Sequence, residues 1–247
     1  MPVYKAEAII LRRRVLGEAD RVLTLFTREH GKFSALVRGV RRTSSKLAGR
    51  LEPFSHVALL LGRGRGSLDV VAQAEVVTGL GTLRSDLRLF GRASLVAELV
   101  EAAVPEREPH PEVFALLRQT LDLLATDAPA LPWFALQLIA LVGFDPALHH
   151  CAVCRGDLGG AAAWSHPLGG LVDARCAARD PAAVRLRPEM VRALRALRAA
   201  DAGAVPTVTI APRGRSLLLE ILRRYAEHRL EVRLRAPAVL GQIPEAW

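Results

Sequence analysis

The stretch KAEAIILRRRVLGEADRVLTLFTREHGKFSALVRGVR (residues 5–41) decides the fold. It holds three runs of apolar and β-branched residues, roughly Lys5–Arg14, Arg21–Arg28 and Lys32–Arg41. The turn signals Gly17-Glu18-Ala19-Asp20 and Glu29-His30-Gly31 separate them. Two more runs follow, His56–Gly62 and Leu68–Val77, divided by Gly62-Arg63-Gly64-Arg65-Gly66. The gap between the third and fourth runs is longer than the others. Five short strands with one long central connection predict a small Greek-key barrel of the oligonucleotide-binding (OB) type. Spacing alone leaves an SH3-like barrel open.

The long connection is the most basic part of the chain. Residues 38–50 read Arg-Gly-Val-Arg-Arg-Thr-Ser-Ser-Lys-Leu-Ala-Gly-Arg: five cations and no acid. The whole chain of 247 residues carries a net charge of +9. Residues 1–80 hold 14 Lys+Arg against 7 Asp+Glu, so the first third carries most of that surplus. Arginine abundance by itself says little, because Lys5, Lys32 and Lys46 are the only lysines in the chain. The asymmetry is the informative feature, since a like-signed surface attracts an anionic polymer and speeds its encounter. Arg38, Arg41, Arg42, Lys46 and Arg50 are therefore the candidate phosphate-backbone contacts. Arg12 and Arg14, at the end of the first run and on one face by alternation, extend the same surface, with Arg13 on the other face. Of the aromatics here, Tyr4, Phe26, Phe33 and Phe54, most are expected to fill the barrel core. That leaves little for base stacking and makes binding electrostatic and tolerant of sequence. The bland reading is a solvated face with Glu52 and Asp69 as local acid partners.

After Gly81 the apolar period changes to that of helices. Ser85 is positioned to cap a helix reaching Ala103, with Leu89, Leu95, Val96, Leu99 and Val100 along it, and Pro105 and Pro109 break it. Pro111 opens a second helix with Val113, Phe114, Leu117, Leu121 and Leu124, and Pro132 a third with Phe134, Leu138, Ile139 and Leu141. Short Pro/Asp loops between them predict an antiparallel bundle. Pro188 starts a further helix, with Val191, Leu194 and Leu197 inward beside Arg192, Arg195 and Arg198. A last helix, about Ser216–Arg229, buries Leu218, Ile221, Leu222 and Tyr225 and carries Arg223, Arg224 and Arg229. Arginines beside an apolar stripe read first as the ordinary outside of an amphipathic helix.

All three cysteines fall in the Gly/Ala/Pro-rich segment 145–180. An odd number argues against a disulfide framework and for metal. Cys151-x-x-Cys154 is a ligand pair, and a second pair is expected 15–20 residues on. There the chain offers Asp173-x-x-Cys176, and a carboxylate is an acceptable zinc ligand. Cys151, Cys154, Asp173 and Cys176 are thus the candidate ligands of one structural zinc, with His149, His150 and His166 competing for the fourth place.

The first residues lack the order and length of a secretory signal. The longest apolar stretch, near 131–144, is interrupted by Pro132, Gln137 and Gly143. A soluble, cytoplasmic protein without membrane contact is expected. No P-loop, G-x-S-x-G or H-E-x-x-H occurs, and no catalytic residue is assigned. Glu18, Asp20 and Glu29 could suggest a metal-dependent nuclease, but Glu18 and Asp20 fall in a Gly-containing turn, where acids are common without chemistry. The same charge and cysteines would also suit an RNA-binding or transcription-associated zinc protein, and the apolar helices a scaffold that binds protein tails.

Several motifs resemble the RecO family of bacterial DNA repair proteins. They are Ala8-Ile9-Ile10-Leu11, Gly17-Glu18-Ala19-Asp20-Arg21, Leu25 to Lys32, Arg38-Gly39-Val40-Arg41-Arg42, Ser45, Gly49 to Phe54 and Gly64 to Leu68. Leu138 to Gly143, Pro146-Ala147-Leu148, Cys151-x-x-Cys154 and Gly169-Gly170 continue the resemblance over nearly the whole chain. It implies an α+β multidomain protein: an OB-type barrel over residues 1–80, then a helical domain over 81–247 with a zinc-binding insert at about 145–180. It also implies a recombination mediator, not an enzyme, that needs no nucleotide. Such a protein binds single- and double-stranded DNA and anneals complementary strands. With the partner RecR it helps RecA replace single-strand-binding protein (SSB), and its place is the nucleoid. Direct contact with SSB is left open. Asp173 departs from the pattern, standing where many members have the third cysteine.

Overall fold

The structure is a computed structural model that describes residues 2–236, apart from 44, 46, 65, 67 and 161. Lys46 therefore lies outside the described residues. The chain forms two compact units, one built on Met1–Ala125 and the other on Thr126–Arg235.

In the first unit, β1 (Val3–Leu16), β2 (Asp20–Thr27), β3 (Gly31–Val37), β4 (His56–Gly62) and β5 (Asp69–Thr78) close a barrel in the order β1-β2-β3-β5-β4. β4 returns to β1 antiparallel, from Val3 opposite Gly62 to Ile9 opposite His56. The ring closes through two parallel pairs, Ala35 with Asp69 and Leu36 with Val70. Because β4 lies between β5 and β1, this is no simple meander; the long β3–β4 connection makes the Greek-key crossing. Alternation fills the interior: Ala6, Ala8 and Ile10 from β1 meet Phe33, Ala35 and Val37 from β3. Burying Phe33 alone contributes about 2–3 kcal/mol.

The aromatics divide differently from the expectation that most would fill the barrel. Phe33 does so, but Phe26 is buried on the outside, its ring 5.9 Å from that of Phe114, and Phe54 lies 5.3 Å from Phe90. Period-2 alternation on β2 sends Phe26 to the face that helices cover. Tyr4 is held at the barrel's side, its hydroxyl donating to Asp69 at 2.6 Å.

Helix α1 (Gly81–Ser85) is a single short turn, and α2 (Leu87–Ala103) starts after it. The cap of α2 is Asp86, not Ser85: its carboxylate accepts from the N–H groups of Arg88 at 2.8 Å and Leu89 at 3.3 Å. A carboxylate at a helix N-terminus accepts those bonds and also meets the favourable end of the dipole. Helix α3 (Pro111–Leu123) has Pro111 in its first turn, as expected. Leu95, Val96, Leu99 and Val100 of α2 are buried, and α2 packs on both α3 and β1.

The α2–α3 connection docks on β3 at Gly31. Arg107 N–H donates to the Lys32 carbonyl at 2.8 Å, and Lys32 bridges Glu106. Gly31 has φ of +67°, and a Cβ there would lie 2.2 Å from the Glu108 carbonyl oxygen. Both the backbone conformation and the close approach require glycine. Gly31→Ala is expected to cost about 3 kcal/mol or more, from left-handed strain plus displacement of the Glu108 backbone. Urea unfolding followed by far-UV circular dichroism measures it, and a loss under about 1 kcal/mol would contradict the docking.

The second unit holds α4 (Ala130–Leu141), α5 (Pro188–Ala199), α6 (Pro212–Leu230) and a three-stranded sheet. That sheet is β6 (Ala163–Ser165), β7 (Gly170–Val172) and β8 (Val184–Arg185), ordered β7-β6-β8. Helix α4 begins two residues before Pro132. The three-helix bundle expected over 85–143 is divided between the units: α4 packs with α5 and α6. Its composition is the reason. Leu131, Trp133, Phe134, Leu136, Leu138 and Ile139 are all buried, so α4 needs apolar neighbours on several sides. Gln137 is its polar exception, and its amide donates at 3.0 Å to the Leu197 and Arg198 carbonyls at the end of α5. In the predicted helices, Val191, Leu194 and Leu197, and Leu218, Ile221, Leu222 and Tyr225, are all buried. Among the described residues no helix is long and apolar enough to cross a membrane.

Candidate nucleic-acid interface and metal centre

Arg38, Arg41, Arg42 and Arg50 lie on the β3–β4 connection, and Arg38 opens it because β3 ends at Val37. Two bonds tie this turn to the β1–β2 hairpin: Gly39 N–H donates to Asp20 Oδ1 at 2.7 Å, and Arg41 N–H to the Ala19 carbonyl at 3.0 Å. The Arg41 guanidinium reaches the Gly17 carbonyl at 3.3 Å, and that of Arg50 the Ala74 carbonyl at 3.1 Å. Carbonyls position a guanidinium without cancelling its charge.

The nearby acids are engaged elsewhere. Glu52 pairs with Arg13 and, at 3.6 Å, with Arg21. Asp69 takes Arg107 at 2.9 Å and the Tyr4 hydroxyl. Burial alone would raise the Asp69 pKa, but the bonds from Tyr4 and Arg107 outweigh it and hold the carboxyl below its usual range. Among the described residues, Arg38, Arg41, Arg42, Arg50 and Arg14 have no carboxylate partner. Arg12 differs: it faces α2 and pairs with Glu101 at 2.6 Å while staying 58% exposed. Arg12 and Arg13 do point to opposite sides, as alternation requires. No pattern in the sequence pointed to Glu101, which is 89 residues from Arg12.

The second unit brings Cys151, Cys154, Asp173 and Cys176 together, with one ligand atom from each within 4.8 Å of the others. β7 aligns the two halves. Leu171 N–H donates to the Ala147 carbonyl at 2.9 Å, and Ala152 N–H to the Leu171 carbonyl at 2.8 Å. Gly170 permits this approach: its φ is +129°, and a Cβ would lie 2.6 Å from the Ala147 oxygen. Asp173 divides its oxygens between two tasks. Oδ1 accepts from the N–H groups of Arg175 and Cys176, each at 2.8 Å, and so shapes the turn. Oδ2 accepts from the Cys154 thiol at 3.0 Å and points into the cluster. The Cys154 bond, and then the Cys176 N–H, hold the Asp173 carboxyl well below the usual carboxylate range. Burial would raise the Cys151 thiol, but N–H groups of Cys154, Asp173 and Val153 bring it below the ordinary value. Burial first, then the neighbouring sulfurs, pushes Cys176 up to about 12.

This donor set fits a tetrahedral metal. Zinc–thiolate bonds of about 2.3 Å place tetrahedral ligands about 3.8 Å apart, within the spread found here. His149 and His150 are exposed and outside the cluster, and His166 Nδ1 accepts from Trp164 Nε1 at 3.1 Å.

Glu18, Asp20 and Glu29 do not converge: among the described residues, the cysteine cluster is the only group of three or more potential metal ligands. Asp20 holds Gly39, and Glu29 accepts from the Glu7 N–H at 3.1 Å. The later arginines mostly brace their own unit. Arg195 reaches the Leu148 carbonyl at 2.8 Å, Arg198 grips Asp145 at 2.9 Å, and Arg223 and Arg224 hold Glu220.

The sequence comparisons agree with this architecture. The family model "Recombination protein O N terminal" matches residues 1–80, and "Recombination protein O C terminal" matches residues 84–238. A protein named DNA repair protein RecO from Pelotomaculum thermopropionicum is 40% identical over 100% of this chain and 96% of its own length. Its namesake from Bifidobacterium adolescentis is 37% identical over 97% of this chain and 100% of its own. The namesake from Bacillus velezensis is 29% identical over 97% and 94%. A barrel, a helical region and a cysteine cluster in this order, matched from end to end, place the chain in the RecO family.

Proposed function

We propose that this chain is a DNA repair protein of the recombination pathway that binds single- and double-stranded DNA and anneals complementary strands. The observation that carries this is the set of arginines on the β3–β4 connection that have no carboxylate partner among the described residues, beside acids already committed to other cations. Arg38, Arg41, Arg42, Lys46 and Arg50 take phosphates, with Arg14 beside them. Arg12 joins by exchanging Glu101 for phosphate. Each contact releases condensed counterions, so binding is strong at low salt and weak at high salt. Annealing needs no bond made or broken: a cationic surface screens the repulsion between two strands until base pairing takes over. The protein is therefore not an enzyme in this reading and needs no nucleotide. Family membership supports the wider role, in which the chain acts with RecR to help RecA load onto SSB-coated single strands. A soluble protein working at the nucleoid fits the same role.

Cys151, Cys154, Asp173 and Cys176 would hold one structural zinc, which joins the two turns into a single folded module. The chain itself fixes the ligand positions, through β7 and through the turn shaped by Asp173 Oδ1.

The test is annealing of complementary fluorophore- and quencher-labelled strands by the purified protein, without nucleotide, across a salt series. Acceleration that fades as salt rises is expected. No acceleration at any salt, or metal-dependent loss of the strands, would overturn the reading.

A further inference from the structure

The end of the β1–β2 hairpin combines apolar exposure with uncompensated positive charge. β4 pairs with β1 no further than Ile9 opposite His56. From Arg12 to Leu16, β1 is paired with β2 alone, ending with Leu16 opposite Asp20. This end of β1 thus overhangs β4. At its tip Val15 is 60% exposed and Leu16 45% exposed. They end β1 just before the three-residue turn, projecting from opposite faces of the two-stranded ribbon, and both face water. Around them stand Arg14 on the same strand and Arg41, which bonds the turn itself at the Gly17 carbonyl. Arg38 and Arg42 follow on the turn that Asp20 anchors through Gly39. Glu18 is the exposed acid of the hairpin turn.

The barrel's aromatics are not available to bases. Phe26, Phe33 and Phe54 are at most 2% exposed, and Tyr4 is committed to Asp69 and to the ring of His30, 4.8 Å away. A protein that brings single strands together meets unstacked bases as well as phosphates, and apolar side chains beside cations are the chemistry that receives them.

We propose that Val15 and Leu16 form the base-contacting element of the DNA surface. One on each face of the ribbon, the two aliphatic side chains make its tip an apolar wedge that enters between unstacked bases of a single strand, while Arg14, Arg38, Arg41 and Arg42 hold the flanking phosphates. Glu18 keeps phosphate off the tip, so that bases rather than backbone meet it. This rests on the DNA-binding reading above, and it adds a preference for single strands that arginines alone do not supply.

The experiment uses the full chain and its V15S/L16S variant, with oligo(dT) and a duplex of equal length, each over a salt series. Both substituted residues are exposed, so the fold is retained. The variant is expected to bind oligo(dT) about five- to tenfold more weakly, at the low end of what losing base contacts costs, with an unchanged salt slope. Duplex affinity should stay within about twofold of the parent. In a second variant, Leu16→Trp, the added indole fluorescence is quenched by oligo(dT) and not by duplex. Single-strand affinity within about twofold of the parent, or equal losses on single strand and duplex, overturns the inference while the arginine site stands. A parent chain that binds neither DNA overturns the arginine site and this inference with it.

Discussion

Replacing Arg38, Arg41 and Arg42 together by alanine is expected to lower DNA affinity about 100-fold at about 0.1 M salt and to flatten its salt dependence. Each phosphate contact contributes about 0.9 to the slope of log K against log salt on duplex and about 0.7 on single strands. Three lost contacts therefore reduce the slope by about 2.7 and about 2.1, respectively. The effect is large because, among the described residues, no acid shares the charge of these side chains. An Arg–carboxylate pair must break before it can take a phosphate, whereas a guanidinium without a carboxylate partner sheds only water, counterions and, for Arg41, one long carbonyl bond. Arg118 provides the control: it pairs with Asp122 at 3.7 Å on α3, so Arg118→Ala removes one positive charge with little change in slope, against about 0.7 to 0.9 for each loop arginine. The loop turn should survive the triple substitution, since Asp20 binds the N–H of Gly39 and the Ala19 carbonyl binds only the backbone of residue 41. Fluorescence anisotropy with a labelled oligonucleotide at several salt concentrations measures both quantities. An unchanged slope would remove the loop from the interface.

These arginines were legible in the sequence because the run contains no acid, and the barrel was legible because its strands alternate and its turns carry Gly and Asp. β4 runs from His56 to Gly62, as the apolar run predicts. Less legible was everything that depends on a distant partner. Arg12 is part of the same basic run as Arg14, yet only the packing of α2 brings Glu101 to it. Helices α2, α3 and α4 have similar lengths and loops, so sequence spacing suggests one bundle. What separates them is how much of each helix is apolar, and α4 is apolar nearly all round. The cap of α2 turned on one position, where Ser85 and Asp86 are both good caps and α1 takes Ser85 as its last residue. Asp173 was legible by spacing alone, because three residues before Cys176 is where a knuckle's first ligand belongs. Its double use was not, since one oxygen shapes the turn and the other faces the sulfurs only in the folded chain.

That double use sets up the sharpest contrast among substitutions at the proposed zinc site. Asp173→Ala removes a ligand and the acceptor for the Arg175 and Cys176 N–H groups, so zinc affinity is expected to fall at least about 100-fold. Asp173→Cys keeps an anionic donor that can also accept N–H bonds, so zinc is retained at one ion per chain, at equal or greater affinity. A purely packing role for Asp173 predicts no such contrast, since neither substitution enlarges the side chain and neither would change the zinc content. Removing the metal with a strong chelator should disturb the module that the ligands tie together. β6, β7 and β8 are only three, three and two residues long and supply little core of their own. Trp164 on β6 reports the loss, because it is fully buried with its ring 5.4 Å from that of Tyr225. Its fluorescence should shift to the red as water reaches the indole. The barrel contributes no ligand, so DNA binding through the arginine loop should survive chelation with its salt slope intact. Metal analysis of the purified chain, with tryptophan emission and DNA anisotropy before and after chelation, tests all of this. A chain that purifies without zinc and shows no change in emission would show that the four ligands pack without a metal.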